Sequence, residues 1–238
     1  MIKLKKIIIL PGEADSVFFM NEIDFIEKYF NEIIVISYRK NEFKIRSIAK
    51  EKDFKCHIVK INVLKALFDI NFYRWLFDKN TKEEIRSVLS LSKKGLAKIL
   101  YILYYGLFYI NAKKYIDKEI KKSNNDDIYL YSFWLTRGAY TIANYNVRRG
   151  NNCKKIFSRA HGYDLYEERN KITYLPFRNF INQNLDEIYF ISKHGLDYFN
   201  NKYKNDGLSS RKHISRLGTF NYNNLTKKVN KKDEVCIV

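Results

Sequence analysis

Short apolar runs alternate along this chain with longer segments whose apolar residues recur at helical spacing. A run of about four to eight apolar residues predicts a buried strand, whereas recurrence every third or fourth residue predicts a helix. The runs at 6–10 and 33–37 are continuous and rich in isoleucine, as is typical of parallel strands covered on both faces. The other predicted strands lie at 56–61, 128–132, 155–158, 187–191 and 213–217.

Helical segments separate the predicted strands. In the first of them, at 16–30, Ser16 is a candidate N-cap, and Phe19 and Ile23 share one apolar stripe. Further helices are predicted near 134–147, 176–183 and 193–203. Because strands and helices alternate with short connections, the sequence predicts the α/β class: a Rossmann-like parallel sheet with helices on both faces.

Residues 64–122 interrupt this alternation, since they show helical periodicity and no convincing strand. Within them, 95–112 is almost wholly apolar and has Lys98 as its single charge. We expect a long helix packed on the sheet. A helix lying on a membrane surface is the functional alternative, because tyrosines repeat every four residues and lysines flank both ends. A membrane span needs about 20 apolar residues, and this run is slightly shorter.

Charge and cysteine content narrow the class of protein. The formal net charge of +18 predicts attraction to polyanions, which include nucleic acid, anionic lipid headgroups and phosphate-bearing substrates. The three cysteines, Cys56, Cys153 and Cys236, form no CxxC pair, which favours a reducing compartment over a disulfide framework or a zinc site. The first apolar run is too short for a signal peptide. We therefore expect a cytoplasmic protein.

The densest cluster of reactive side chains is the segment SRAHGYDLYEER at 158–169, which begins at the end of a predicted strand. It combines the imidazole of His161 with two guanidinium groups and three carboxylates. Gly162 predicts a backbone turn that other residues resist. Such a turn would place polar side chains at the carboxyl edge of the sheet, where α/β proteins bind ligands. The alternative is a charged surface loop.

The segment SRAHGYDLYEERN, with YLPFRNF, ISKHG and ISRLG further along the chain, resembles the acceptor-side half of family 4 glycosyltransferases with the GT-B fold. The resemblance is strongest to bacterial enzymes of surface polysaccharide and lipopolysaccharide assembly, of the colanic-acid type. It implies that residues 1–218 are the N-terminal Rossmann-like domain with a helical insertion at about 64–122. Residues 219–238 would then be a linker and the first strand of a second Rossmann domain that is otherwise missing, or supplied by another chain.

The resemblance also implies roles for individual residues. His161 is the catalytic candidate, whose counterpart touches the donor sugar, and we expect it to stand in an open cleft. Arg159 could neutralise an acceptor phosphate, and Asp164 could bind sugar hydroxyls or fix its loop; Trp134 could stack on a sugar ring. The candidate acceptor- and substrate-binding residues are Gly12, Glu13, Asn21, Glu22, Trp134, Arg159 and Asp164.

The implied reaction is retaining sugar transfer by a hexosyltransferase-type enzyme. The donor is a nucleotide sugar that serves as co-substrate, the acceptor is a glycan or a lipid-linked molecule, and no metal or other cofactor is expected. We expect the enzyme to lie in the cytoplasm against the anionic inner face of the plasma membrane, to have no nucleic-acid partner, and to be inactive without its second domain. A basic nucleic-acid-binding protein is the alternative, since lysines and aromatic residues provide charge and stacking surfaces. A catalytically dead remnant of a glycosyltransferase also fits the sequence.

Overall fold

The computed structural model describes residues 4–12, 17–38, 42–89, 94–123, 126–150, 153–203 and 210–217. Within these ranges, seven strands form one parallel sheet, and each corresponds to a predicted strand with small shifts at its ends. The strands are β1 (Lys5–Leu10), β2 (Glu32–Tyr38), β3 (Lys55–Val59), β4 (Asp127–Ser132), β5 (Lys155–Ala160), β6 (Glu187–Phe190) and β7 (Arg211–Ile214). The predicted fold class is therefore confirmed.

The strand order across the sheet is β3-β2-β1-β4-β5-β6-β7. Ile7 of β1 aligns with Ile33 of β2 on one side and with Tyr129 of β4 on the other. The chain thus builds outward from β1 in one direction and then returns to build outward from β4 in the other. The helices that follow β1 and β4 belong to the cores on opposite faces of the sheet, and open α/β sheets bind ligands in the crevice outside such a reversal.

Helices cover both faces of the sheet. The helices within the described ranges are α1 (Val17–Ile26), α2 (Glu42–Glu51), α3 (Val63–Leu67), α4 (Ile70–Leu76), α5 (Lys79–Leu89), α6 (Gly95–Lys121), α7 (Arg137–Arg149), α8 (Arg178–Asn184) and α9 (Lys193–Lys202). Alternate residues of β1 point to opposite faces. Ile7 and Ile9 pack with α1 and α2 in one core, whereas Ile8 and Leu10 belong to a larger core with α6, α7, α8 and α9.

Helices α3 to α6 occupy the segment that interrupts the strand–helix alternation. By length and composition, α6 is the one described helix that could cross a membrane, but 39% of its most apolar window is buried inside the protein. Tyr105 and Tyr109, two of the tyrosines considered for contact with lipid headgroups, are buried in the core. Gly106 lies directly against the ring of Trp75, whose indole Nε1 donates a hydrogen bond to Tyr140 Oη at 2.6 Å. The centre of α6 is therefore a core helix.

Some predicted features differ from the structure or fall outside its described ranges. Helix α2 was not predicted, since its apolar residues are few and its sequence, EFKIRSIAKE, is half charged. Helix α7 begins at Arg137 instead of 134, because the backbone from Phe133 to Thr136 forms bends and turns. The predicted N-cap Ser16 and the predicted linker and strand at 219–238 lie outside the described residues.

Candidate functional site

A cleft of about 390 Å³ lies at the carboxyl ends of β1 and β4, where the strand order reverses. The described residues that line it are Gly12, Trp134, Thr136, Arg137 and Tyr163. Gly12 follows β1, the next three follow β4 or begin α7, and Tyr163 follows β5. Three loops that are distant in sequence therefore meet at the position where α/β sheets bind their ligands.

Gly12 forms the floor of the cleft in a backbone conformation that favours glycine. Its φ is +71°, and a Cβ atom built on it would lie 2.9 Å from Trp134 Cδ1. Both the left-handed backbone and the close approach of the indole require the absence of a side chain. The other candidate in this turn, Glu13, lies outside the described residues.

Trp134 is held at the edge of the cleft by its own backbone. Its carbonyl accepts a hydrogen bond from Ser132 Oγ at 2.7 Å, and its ring contacts the rings of Phe133 and His161. The indole Nε1 is inaccessible to solvent and has no hydrogen-bond partner among the described residues. A buried indole N–H normally has a partner, so a ligand reaches this donor only if the ring moves.

Helix α7 points its N-terminus at the cleft. Gly138 allows this approach, because a Cβ atom there would collide with Ser132 Oγ and crowd Leu10. The side chain of Thr136 forms no N-cap hydrogen bond, and the first turn contains no acidic residue. Instead it carries Arg137, whose guanidinium lies 5.1 Å from the ring centre of Tyr104. A cation at a helix N-terminus opposes the helix dipole, so α7 places a guanidinium on the lining of the cleft without help from the dipole.

His161 lies behind Trp134 and is only 5% exposed. Its ring centre is 4.3 Å from that of Trp134 and 4.8 Å from that of Phe133. Neither ring nitrogen has a hydrogen-bond partner within the described part of the chain, although Nδ1 lies 3.5 Å from Asp164 Oδ2. The expectation that His161 stands in an open cleft is wrong, because the two aromatic rings close over the imidazole. Trp134 is the side chain that separates it from the cleft.

Asp164 fixes the loop that carries His161. Its carboxylate is fully buried and accepts hydrogen bonds from the backbone N–H groups of His161 at 2.7 Å and Leu135 at 2.6 Å. The buried guanidinium of Arg178 donates to the backbone carbonyls of Asp164 and Leu135. Of the two roles considered for Asp164, the structure therefore places its oxygens in loop fixation. The Asp164 carboxylate and the Arg178 guanidinium thus hold the loops after β4 and β5 together.

Gly162 has a different role from the one predicted. Its φ is not among the positive values found at Gly12 and Gly150, so its turn does not need a left-handed residue. A Cβ atom at this position would lie 2.5 Å from Arg169 Nη1. The glycine makes room for Arg169, which packs over the ring of Tyr166 at 4.5 Å. The loop is thus shaped by side-chain packing.

A second group of polar side chains lies beneath the cleft, between α1 and the ends of β4 and β5. Glu22 Oε1 accepts a hydrogen bond from Tyr131 Oη at 2.8 Å and forms an ion pair with Arg159 Nη2 at 3.2 Å. Burial raises the pKa of Glu22, although Arg159 and the Tyr131 hydrogen bond act in the opposite direction. Glu22 Oε2 and Arg159 Nε are buried without hydrogen-bond partners among the described atoms. His161 is close enough to influence the pKa of Glu22, so this group adjoins the catalytic candidate.

Most of the predicted site residues are therefore neighbours in the fold. Gly12 and Trp134 line the cleft. His161 and Asp164 lie directly behind it, and Glu22 and Arg159 lie beneath it. Asn21 is half-buried on α1 and points about 100° around the helix from Glu22. The sequence did not identify Thr136, Arg137 or Tyr163 as cleft residues. The signal that could have identified Arg137 as a cleft residue is its position at the start of a helix that follows a strand.

Comparisons with known proteins relate the chain to solved structures alone. No protein-family model and no curated protein matches the sequence. The crystal structure of Arabidopsis thaliana UGT89C1 complexed with UDP-L-rhamnose is 10% identical, with a TM-score of 0.47; the match covers 93% of this chain and 54% of that one. A second crystal structure of Arabidopsis thaliana UGT89C1 is 12% identical, with a TM-score of 0.47, and the match covers 92% and 51%. The chain spans about half the length of the structures it matches.

Proposed function

We propose that this chain is the acceptor-side part of a glycosyltransferase that uses a nucleotide-sugar donor, and that its substrates meet in the cleft between β1 and β4. The observation that carries the proposal is the cleft itself, which lies where α/β sheets bind ligands and has unpartnered polar atoms directly behind it, the indole Nε1 of Trp134 and both ring nitrogens of His161. Buried polar atoms without partners are rare in folded proteins. The Trp134 ring turns aside when substrate binds, and the hydroxyl groups of the sugar, which both donate and accept hydrogen bonds, then reach these atoms.

We infer that Arg137 and the N-terminus of α7 favour a phosphate-bearing substrate. Arg137 lines the cleft and α7 directs its N-terminal N–H groups toward it. A planar guanidinium and a helix N-terminus both bind phosphate well. The indole face of Trp134 provides an apolar surface for the sugar ring beside this phosphate.

The apolar surface next to Arg137 suits a lipid-linked acceptor. Leu96, Leu100 and Tyr104 recur every four residues and therefore share one face of α6. Leu96 and Leu100 are exposed, and Tyr104 packs beneath the Arg137 guanidinium. This stripe leads from the protein surface to the cleft. An acceptor with an isoprenyl tail and a phosphate headgroup would place its tail on the stripe and its phosphate against Arg137.

The finer assignment follows the sequence resemblance. We propose retaining transfer to a surface polysaccharide or lipopolysaccharide acceptor, with the donor phosphate assisting deprotonation of the acceptor hydroxyl and with no metal ion. His161 orients the reacting sugar, and a second nucleotide-binding domain provides most of the donor contacts. The enzyme works in the cytoplasm at the inner face of the plasma membrane, where its net charge of +18 favours anionic lipid.

Ligand binding monitored by tryptophan fluorescence tests this proposal. The chain has 2 tryptophans, of which Trp134 lines the cleft and Trp75 is buried in the core. We expect farnesyl phosphate to change the fluorescence with a saturable curve and to bind more tightly than farnesol or inorganic phosphate. Arg137→Gln should weaken this binding at least about tenfold, and Trp134→Phe should remove the signal.

Replacement of the exposed Arg86 on α5 by Gln is the matched control and should leave the affinity unchanged. Equal affinity of farnesyl phosphate for wild type and Arg137→Gln would contradict the assignment of the phosphate site. A wild-type protein that binds none of the three probes would contradict the proposed acceptor class.

A further inference from the structure

We propose that helices α3 and α4 form a docking surface for anionic lipid bilayers. Most of the exposed large apolar side chains in the described part of the chain belong to α3–α6 or to the turns between them. They are Val63, Leu64, Phe68, Ile70, Tyr73, Phe77, Leu89, Leu96 and Leu100. The first six fall within the fifteen residues 63–77, which we term the apolar surface of α3 and α4.

These side chains are exposed because the opposite side of the same two helices is already used for packing. Ala66, Phe72 and Trp75 face the core, and Trp75 is fixed by its hydrogen bond to Tyr140. The apolar side chains that remain point to solvent: Phe68 is 90% exposed and Leu64 is 71% exposed. A group of exposed apolar side chains of this size marks a binding surface.

The two helices hold this surface in a fixed shape. Asn62 caps α3 by accepting a hydrogen bond from Lys65 N at 3.0 Å, and Asp69 caps α4 by accepting one from Asn71 N at 2.9 Å. Lys114 of α6 also reaches Asp69 at 3.5 Å. The exposure of Phe68, which lies between the two caps, therefore belongs to the folded protein.

The charges around the surface select an anionic bilayer as the partner. The exposed cations on and beside the two helices are Lys60, Lys65, Arg74, Lys79 and Lys82, of which Lys79 lies 4.0 Å from Glu83. The acidic residues in the same stretch are already paired, Asp69 with Lys114 and Asp78 with Arg148 at 3.0 Å. Exposed phenylalanine and leucine with surrounding lysine and arginine is the pattern of helices that lie in the membrane interface. Anionic headgroups match the cations, and the acyl boundary accepts Leu64 and Phe68.

This surface replaces the centre of α6 as the membrane contact. It rests on the membrane location in the proposed function, but it makes no use of the cleft. Co-flotation with vesicles measures lipid binding without sugar transfer. A negative result would therefore leave the glycosyltransferase proposal standing, and loss of phosphate binding in the cleft would leave this surface standing.

Co-flotation with vesicles tests the inference. Wild-type protein should float with vesicles of phosphatidylcholine containing about 30% phosphatidylglycerol and should bind pure phosphatidylcholine much more weakly. The double variant Leu64→Ser, Phe68→Ser should bind the anionic vesicles at least about tenfold more weakly, because both apolar insertions are lost. Lys65→Glu with Arg74→Glu should reduce binding most at low salt.

The matched control is the double variant Phe25→Ser, Tyr29→Ser, which removes two exposed aromatic residues at the end of α1. It should bind anionic vesicles within about twofold of wild type, and circular dichroism should show that both double variants are folded. Equal binding by the Leu64, Phe68 variant would overturn the inference. So would a concentration-dependent dimer, or binding to an oligonucleotide, that this variant abolishes while vesicle binding persists.

Discussion

Gly12 and Gly150 adopt the same left-handed backbone, with φ of +71°, in very different surroundings. Gly150 follows the last turn of α7, and a Cβ atom there would meet no atom within 4 Å in the part of the chain that the structure describes. Gly12 lies in the cleft with Trp134 Cδ1 2.9 Å from the position of a Cβ atom. Substitutions at these two glycines therefore distinguish the energetic cost of a left-handed backbone from the cost of displacing the Trp134 ring.

Replacing each glycine by alanine should give two different results. Gly150→Ala should lower the free energy of unfolding by about 1 kcal/mol, the cost of a left-handed alanine. Gly12→Ala should cost more and should also shift the tryptophan emission, because the Trp134 ring must move. Urea denaturation and emission spectra measure both effects. Equal destabilisation with unchanged spectra would show that Trp134 does not rest on Gly12.

The pKa of Glu22 gives a prediction about pH. Burial raises this pKa above the usual 4.5, against the opposing effects of Arg159 and Tyr131. The folded protein therefore holds the Glu22 proton more tightly than the unfolded chain does. The stabilising contribution is present below about pH 4.5 and is lost as the pH rises through the folded pKa.

Wild-type protein should thus lose stability relative to Glu22→Gln as the pH rises above about 4.5. Denaturation of both proteins at each pH measures the difference in the free energy of unfolding. The exposed residue Glu27 on the turn after α1 provides a control variant, Glu27→Gln. A difference that stays constant with pH, or that grows in favour of wild type as the pH rises, would contradict the assignment.

Helix α6 is held in the larger core by a contact that its sequence does not reveal. Its apolar residues lie on all sides, so helical periodicity alone could not separate the buried face from the exposed one. The side of α6 that carries Gly106 is buried, since Trp75 of α4 packs directly on this glycine. Gly95, at the start of the same helix, is ordinary by comparison: the nearest atom to a Cβ there is Val88 O, at 3.5 Å.

Alanine at these two positions of α6 should have opposite effects. Gly106→Ala should lower the free energy of unfolding by about 1 to 3 kcal/mol, because overpacking against Trp75 outweighs the better helix propensity. Gly95→Ala should leave stability unchanged or raise it by up to about 1 kcal/mol. Chemical denaturation measures both changes. A stabilised Gly106→Ala protein would mean that Trp75 packs elsewhere.

Most strands were predictable because they are short apolar runs, and the parallel sheet followed from their alternation with helices. The sequence of β7 is RKHI, and this strand overlaps its predicted range, 213–217, only at His213 and Ile214. Helix α2 was missed because its buried side is narrow: Ile45, Ile48 and Ala49 are its buried residues among those described. The start of α7 was misplaced because an apolar segment, Phe133 to Leu135, continues past the end of β4 without helical geometry. Local pattern thus predicts which elements exist better than where they end.

The sequence predicted which residues form much of the candidate site, but it did not predict how deeply each of them is buried. Since parallel strands end at the same edge of the sheet, residues that follow β1, β4 and β5 meet there. The burial of His161 depends on how the Phe133 and Trp134 rings pack over it, and no sequence spacing encodes that packing. The sequence also does not show that the Asp164 carboxylate binds two backbone N–H groups, because these belong to His161 and Leu135, which lie in different loops. Asp164 therefore looked like a ligand-binding acid.

Sugar transfer that depends on His161 is the most direct test of the proposed function. Wild type and His161→Gln would each be assayed as the 238-residue chain and as a fusion to the donor-binding domain of a GT-B glycosyltransferase. Labelled nucleotide sugars serve as donors, and lipid-linked glycans extracted from bacterial membranes serve as acceptors. Wild type should transfer sugar as the fusion and not as the chain alone, and in the fusion His161→Gln, with an unchanged melting temperature, should be slower by about 100-fold or more. Wild-type rates in the variant fusion, or no transfer by wild type in either form, would contradict the proposed function.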